Sequence, residues 1–173
     1  MKTCQALLAV FACAALPLHA AGLDDLTWTT TGGNITITDC KASATGELVI
    51  PDTIEGNPVT SIGGYAFSHC TSLTSITIPE SVTSIEKGVF FECTSLTGVT
   101  IPESVTSIGD EAFCLCTSLT SITIPESVTS IGGYAFERCT SLTSITIGNG
   151  VTSIGYSAFS RCTSLPNITI PDS

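Results

Sequence analysis

The chain has 173 residues, long enough for one domain with a real hydrophobic core. Charged residues make up only 12% of it, and 15 acidic against 5 basic side chains leave a net charge of -10. That balance excludes the Lys/Arg footprint that nucleic-acid phosphates need and disfavours anionic membrane surfaces.

Residues 1–20 read as an export signal. Lys2 precedes an apolar run from Ala6 to Leu18, and small residues suited to cleavage come next, near Ala20 or Ala21. The run is too short for a membrane span, it has no second apolar stretch after it, and the residues around Cys13 fit a lipid signal poorly. This predicts an exported chain, secreted or at the cell surface. Residues 21–46 then read as a cap: a Thr-rich strand, a "GGN" turn and a "NITIT" strand, forming a β-hairpin. Trp28, the only Trp, is expected to pack over the first coil of the repeats. The "NIT" sequons at Asn34 and Asn167 would matter only in a eukaryotic secretory pathway.

From residue 47 the chain repeats itself. After a first unit of 28 residues (47–74) come units of 23 at 75–97, 98–120, 121–143 and 144–166, and then the stub 167–173. A period in this range signals a solenoid. In 121–143 the apolar positions are Ile122, Ile124, Val128, Ile131, Ala135, Phe136, Cys139 and Leu142. Ile122 and Ile124 alternate with Ser121 and Thr123, the period of a half-buried strand that Pro125 closes. "VTSI" gives a second extended piece, and Ala135 to Cys139 suits one tight helical or 3-10 turn. One coil cannot bury this set alone, whereas stacked coils about 4.8 Å apart share a continuous core and align like residues in rows. Phe67, Phe90, Phe113, Phe136 and Phe159 are expected to form one row, an aromatic spine.

The recurring pattern C-x-x-L-x-x-I-x-I-P-x-x-V-x-x-I-x-x-x-A-F-x-x-C resembles the BspA-type leucine-rich repeat family over residues 47–173. It departs at Val89, which replaces Ala, and at "GNG" 148–150, which replaces "PES". The resemblance implies a leucine-rich-repeat solenoid, mainly β with short turns, on secreted and surface proteins of bacteria and some protists. It also implies binding and adhesion, not catalysis.

Among candidate sites the cysteines come first. Cys70, Cys93, Cys116, Cys139 and Cys162 recur at the repeat period and so form a second row. Parallel side chains in register make poor disulfide geometry, and a straight row does not converge on a tetrahedral metal, so the row reads as buried free thiols. Cys40 and Cys114 fall outside it. Cys114 shares its slot with Ser68, Phe91, Glu137 and Ser160, which predicts exposure and makes it the candidate for an intermolecular disulfide. Asp52, Glu80, Glu103, Glu126, Asn149 and Asp172 make an acidic row, read as a solvated edge in preference to a cation ladder. Thr77, Thr100, Thr123, Thr146 and Thr169 form an outward hydroxyl face without aromatic anchors. His69 has no acid partner in an obvious position, and with no oriented base for a nucleophile the chain reads as a non-enzyme without metal or cofactor.

Where the units differ is more informative. Tyr65, Phe91, Tyr134, Arg138, Tyr156 and Arg161 lie in the variable segments on either side of each Ala-Phe, and they are the amphipathic anchors available to a protein partner. The leading expectation is therefore an interaction or adhesion module for a protein or glycan at a cell surface. A self-assembling unit, dimerising through the C-terminal coil, is the alternative. An ice-binding Thr face comes third.

Overall fold

Each Ser-Ile-Thr-Ile segment becomes a strand because β-branched residues suit a pleated, half-buried surface. The computed structural model describes residues 20–170. The expected export signal (apart from residue 20) and Asp172 of the acidic row lie outside the described residues.

A short 3-10 turn at Leu23–Asp25 leads into β1 (Leu26–Thr31) and β2 (Asn34–Cys40), an antiparallel hairpin. Gly32 and Gly33 turn it with φ of 58° and 78°, the left-handed pair that a two-residue hairpin turn requires. Then come β3 (Thr45–Val49), β4 (Thr53–Ile54) and β5 (Asn57–Ile62). The extra residues of the first unit build the β4–β5 hairpin, which turns at Glu55 and Gly56. Each later coil supplies one longer and one two-residue strand. These are β6 (Ser72–Thr77) and β7 (Ser84–Ile85), β8 (Gly98–Thr100) and β9 (Ser107–Ile108), β10 (Ser121–Ile124) and β11 (Ser130–Ile131), then β12 (Ser144–Ile147) and β13 (Ser153–Ile154).

The longer strands stack in parallel as β3–β6–β8 and β10–β12, the short ones as β7–β9–β11–β13. β2 pairs parallel to β5, with Ile35 opposite Val59, so the hairpin lies against the first coil on the short-strand side. Trp28 is partly buried against the core. The architecture is a mainly-β solenoid with almost no helix.

The Ala-Phe segments form the third side. Bonds from Ala66 N–H to Gly63 O, Ser68 N–H to Tyr65 O and Cys70 N–H to Phe67 O close tight turns. Left-handed residues at Tyr65 and His69, φ 62° and 61°, stop them from continuing as a helix. The same two places have positive φ in every coil: Gly88 and Glu92, Glu111 and Leu115, Tyr134 and Arg138, Ser157 and Arg161. This conformation aims three N–H groups of each coil at the next one. Tyr65, Phe67 and His69 donate to the carbonyls of Lys87, Val89 and Phe91 at 3.0, 2.9 and 2.8 Å. The pattern recurs to the last junction, where Tyr134, Phe136 and Arg138 donate to Tyr156, Ala158 and Ser160. Every bond of this ladder points the same way along the axis.

Side chains add further ladders. Ser104 and Ser127 donate their hydroxyls to the carbonyls of Val82 and Val105 at 2.6 and 2.7 Å, and Ser81 bonds Val59 in the same way. Thr106, Thr129 and Thr152 bond the Thr carbonyl one coil back, each at 3.2 Å. Hydroxyls therefore stitch coils together as well as wetting the surface. Ser127→Ala is expected to lower stability by about 1 kcal/mol in urea denaturation, because the half-buried carbonyl of Val105 loses its donor.

Candidate functional site

The variable band runs along the one-way ladder, so each of its side chains sits about one coil spacing from its equivalents. In the first two coils Tyr65 meets Phe91 edge-on at 6.5 Å, and His69 meets the same ring at 5.7 Å. Lys87 Nζ lies 3.4 Å from Glu111 Oε1. Hydrogen bonding and charge from Glu111, then the Tyr65 hydroxyl, hold the Lys87 ammonium above its ordinary pKa. In the last two coils Tyr134 and Tyr156 pack edge-to-face at 4.5 Å, and the hydrogen bond between them raises the Tyr134 phenol. Arg138 and Arg161 are exposed beside them, and Glu137 lies 3.8 Å from Arg138 Nε. Tyr65 and Tyr156 are 44% and 70% exposed, Tyr134 and Phe91 half-buried. The band thus divides into one cluster at Tyr65, Lys87 and Phe91 and another at Tyr134, Arg138, Tyr156 and Arg161. His69, without an obvious acid in the sequence, has one in the fold: its Nδ1 stands 3.0 Å from Glu92 Oε2. That exposed pair adds little to stability.

Cys114 corrects the sequence reading: it is 5% exposed, not a surface thiol. Its slot lies in a row between Phe91 and Glu137, and these larger neighbours one coil away on each side cover so small a side chain. An intermolecular disulfide at Cys114 is therefore not available in the folded state. Cys70, Cys93, Cys116 and Cys139 are fully buried and Cys162 partly so. The thiols of Cys93, Cys116, Cys139 and Cys162 donate to the carbonyls of Phe67, Phe90, Phe113 and Phe136 at 3.0–3.1 Å. Beside this row stands the Phe row. Phe67, Phe90, Phe113 and Phe136 are fully buried, with successive centroids 5.6, 5.1 and 5.1 Å apart, and Phe159 continues it at 5.4 Å, partly buried.

The thiols have a pH consequence. Burial pushes Cys93 up to about 12 and Cys114 up to about 11 from 9.0, and raises Cys116 and Cys139 as well. The folded state keeps protons that the unfolded chain releases above its own thiol pKa, so stability is whole below about pH 9 and falls as pH rises towards 12. Each such thiol contributes a slope of about 1 kcal/mol per pH unit in that window. The urea midpoint should be flat below about pH 8.5 and drop steeply above it. Cys93→Ala should make the drop shallower.

The long-strand face carries a feature that sequence reasoning missed. Among the described residues no strand pairing joins β8 to β10, although β6–β8 and β10–β12 are in register. A groove of about 430 Å³ lies across this face, from Glu47 on β3 over Ser75–Thr77 of β6 and Gly98–Ile101 to Ser121–Thr123 of β10. The signal was Gly98, standing where the other 23-residue coils have Ser75, Ser121 and Ser144. On the acidic row Glu126 accepts bonds from the Asn149 N–H at 2.7 Å and Nδ2 at 3.3 Å, while Glu80 and Glu103 are exposed. Among the described residues no three His, Cys, Asp or Glu side chains are placed to hold a metal ion, and no helix is long and apolar enough to cross a membrane.

Comparison with known proteins places this geometry. The family described as BspA type leucine rich repeat region matches residues 48–173 in six copies. Among solved structures the chain is similar to the leucine-rich repeat protein of T. pallidum, at 32% identity and a TM-score of 0.78, over 85% of this chain and 69% of that one. It is similar to a leucine-rich repeat protein of Bacteroides ovatus at 35% identity and a TM-score of 0.75, over 86% of this chain and 40% of that one. A leucine rich cell surface protein of Faecalibacterium prausnitzii aligns at 29% identity and a TM-score of 0.57, over 84% of this chain and 52% of its own length. The chain therefore spans about half or less of some of these relatives. None of the curated proteins matches the chain significantly.

Proposed function

The chain belongs to the BspA-type leucine-rich repeat family, and on that footing we propose that it is a protein-interaction module whose docking surface is the band running from Tyr65 to Arg161. One observation carries this reading. All three tyrosines of the chain and three of its five basic residues, Lys87, Arg138 and Arg161, converge on that band. Tyr and Arg combine apolar area with polar tips, and they dominate binding hot spots. The core-forming letters are constrained in every coil by stacking, whereas the band is where the coils differ. The surface setting is supported by the Faecalibacterium prausnitzii relative described as a cell surface protein, and export by the apolar leader in residues 1–20.

The other readings have less behind them. A glycan would find hydroxyls in the groove at Gly98, but no aromatic ring lines it. An ice-matching Thr lattice would need an even sheet, and the opening between β8 and β10 interrupts the Thr row. A symmetric dimer through the last described coil would set the N–H groups of Ser157, Phe159 and Arg161 against one another, donor facing donor.

The test is capture of extracellular proteins by the immobilised chain, with the bound species identified. Tyr134→Ala with Arg138→Ala is expected to weaken the main captured species at least tenfold, about 1.4 kcal/mol or more. Thr100→Ala with Thr123→Ala on the strand face should leave it unchanged. Loss with the second pair and not the first would move the site to the groove.

A further inference from the structure

We infer that Cys40 and Cys70 form a disulfide that locks the β1–β2 hairpin onto the first coil. The inference is independent of the proposed binding surface.

Cys70 is the exception in its own row. Cys93, Cys116, Cys139 and Cys162 each aim their Sγ at a Phe carbonyl 26 residues earlier. The equivalent acceptor for Cys70 belongs to Ala44, yet Cys70 Sγ turns instead to the carbonyls of Cys40 and Lys41, at 3.7 and 3.8 Å. Cys40 Sγ lies 3.8 Å from the same Lys41 carbonyl, so both sulfurs crowd one oxygen. The two thiols are also close enough to perturb each other's ionisation, and Cys70 pushes the Cys40 thiol up. Cys40 ends β2, which belongs to the hairpin and not to the stack of coils. It therefore approaches Cys70 from a separate element and escapes the parallel alignment that makes neighbouring row thiols poor partners. The pair is sealed, Cys40 4% and Cys70 0% exposed. The bond thus closes as the hairpin docks during folding, before the site is shut.

The chemistry is thiol–disulfide exchange with a disulfide oxidant, such as oxidised glutathione or an oxidised dithiol protein. Before the hairpin docks, the Cys70 thiol is open to solvent and attacks as its thiolate. Its sulfur attacks one sulfur of the oxidant, that S–S bond breaks, and one thiolate leaves. Cys40 then gives its proton to solvent, attacks the Cys70 sulfur of the mixed disulfide and expels the second thiolate. Two thiols are oxidised, one disulfide is reduced to two thiols, and the two protons go to the leaving groups. The bridge would enclose β3 to β5 in one closed loop and anchor the end of the hairpin to the first coil, restricting the unfolded chain.

The full chain is refolded from the reduced, denatured state in a mixture of oxidised and reduced glutathione, then alkylated in denaturant and mapped by tandem mass spectrometry. The expected result is a mass loss of about 2 Da with Cys40 linked to Cys70, and a melting temperature that falls by roughly 10 °C on adding reductant. Cys40→Ser and Cys70→Ser should each abolish the reductant effect, while Cys114→Ser keeps it. Full alkylation of both cysteines in the wild-type chain, or a bridge joining any other pair, overturns the inference. The wild-type map decides the matter even if a Ser variant fails to fold.

Discussion

Phe113→Ala is expected to cost about 4 kcal/mol, among the largest losses any single truncation in this chain can produce. The ring is fully buried and stacks on Phe90 at 5.1 Å and on Phe136 at 5.1 Å, nearly parallel to the second at 3°. Removing it leaves a cavity whose walls are the two neighbouring rings, and those are pinned by the one-way ladder: Phe90 N–H donates to Ala112 O and Phe113 N–H to Ala135 O. Walls held by main-chain bonds collapse poorly, which places the loss in the upper part of the usual range. Phe159→Ala should cost about half as much, since that ring is already partly exposed and stacks only on Phe136 among the described residues. Urea denaturation of both variants measures the difference. Equal losses would mean that the rings contribute independently and that the row is not a continuous packed element.

The architecture was legible because it is periodic. Ile at alternate positions, Phe at one slot and Cys at another each solve the same packing problem in every coil, so spacing alone exposes the rows. The fold is otherwise decided by contacts that spacing does not show. Tyr65, Glu111 and Arg138 adopt positive φ although they are not Gly, and nothing in their side chains announces it; neighbouring coils impose it through three hydrogen bonds at each junction. Burial of Cys114 depends on the size of Phe91 and Glu137, residues one coil away on either side. Cys40 reaches Cys70 only because β2 lies beside β5. The band itself was readable as variation, but its division into two clusters needed the distances. Letters that break the repeat turn out to mark breaks in the sheets: Gly98 where β8 and β10 part, and Glu86 where β5 and β7 fail to pair. "GNG" marks a tightening. A Cβ at Gly150 would fall 2.0 Å from the Glu126 carbonyl oxygen, so these glycines let the turn close onto Glu126.

Gly132→Ala is expected to cost about 3 kcal/mol, although it adds one methyl group. A Cβ at Gly132 would sit 2.4 Å from Asp110 N and 2.5 Å from Gly109 C, both main-chain atoms that cannot rotate aside. The close approach exists because Gly132 N–H donates to Ile108 O at 2.8 Å, as Gly109 does to Ile85 and Gly155 to Ile131. In the coil 75–97 Glu86 takes this place, and no bond joins its N–H to Ile62 O; the short-strand sheet opens there. Gly132→Ala should therefore open the β9–β11 junction in the same way, losing that bond and the packing of Ile131 on Ile108 beneath it. Gly98→Ala is the control. Its Cβ would meet nothing within 4 Å, and a strand position gains from losing Gly, so stability should hold or rise by up to about 1 kcal/mol. Hydrogen exchange locates the damage. Faster exchange confined to the amides of Ser130–Gly132 and their β9 and β13 partners supports a local opening. Uniform acceleration would instead show that one junction holds the whole solenoid, and a neutral Gly132→Ala would show that the coils can move apart at no cost.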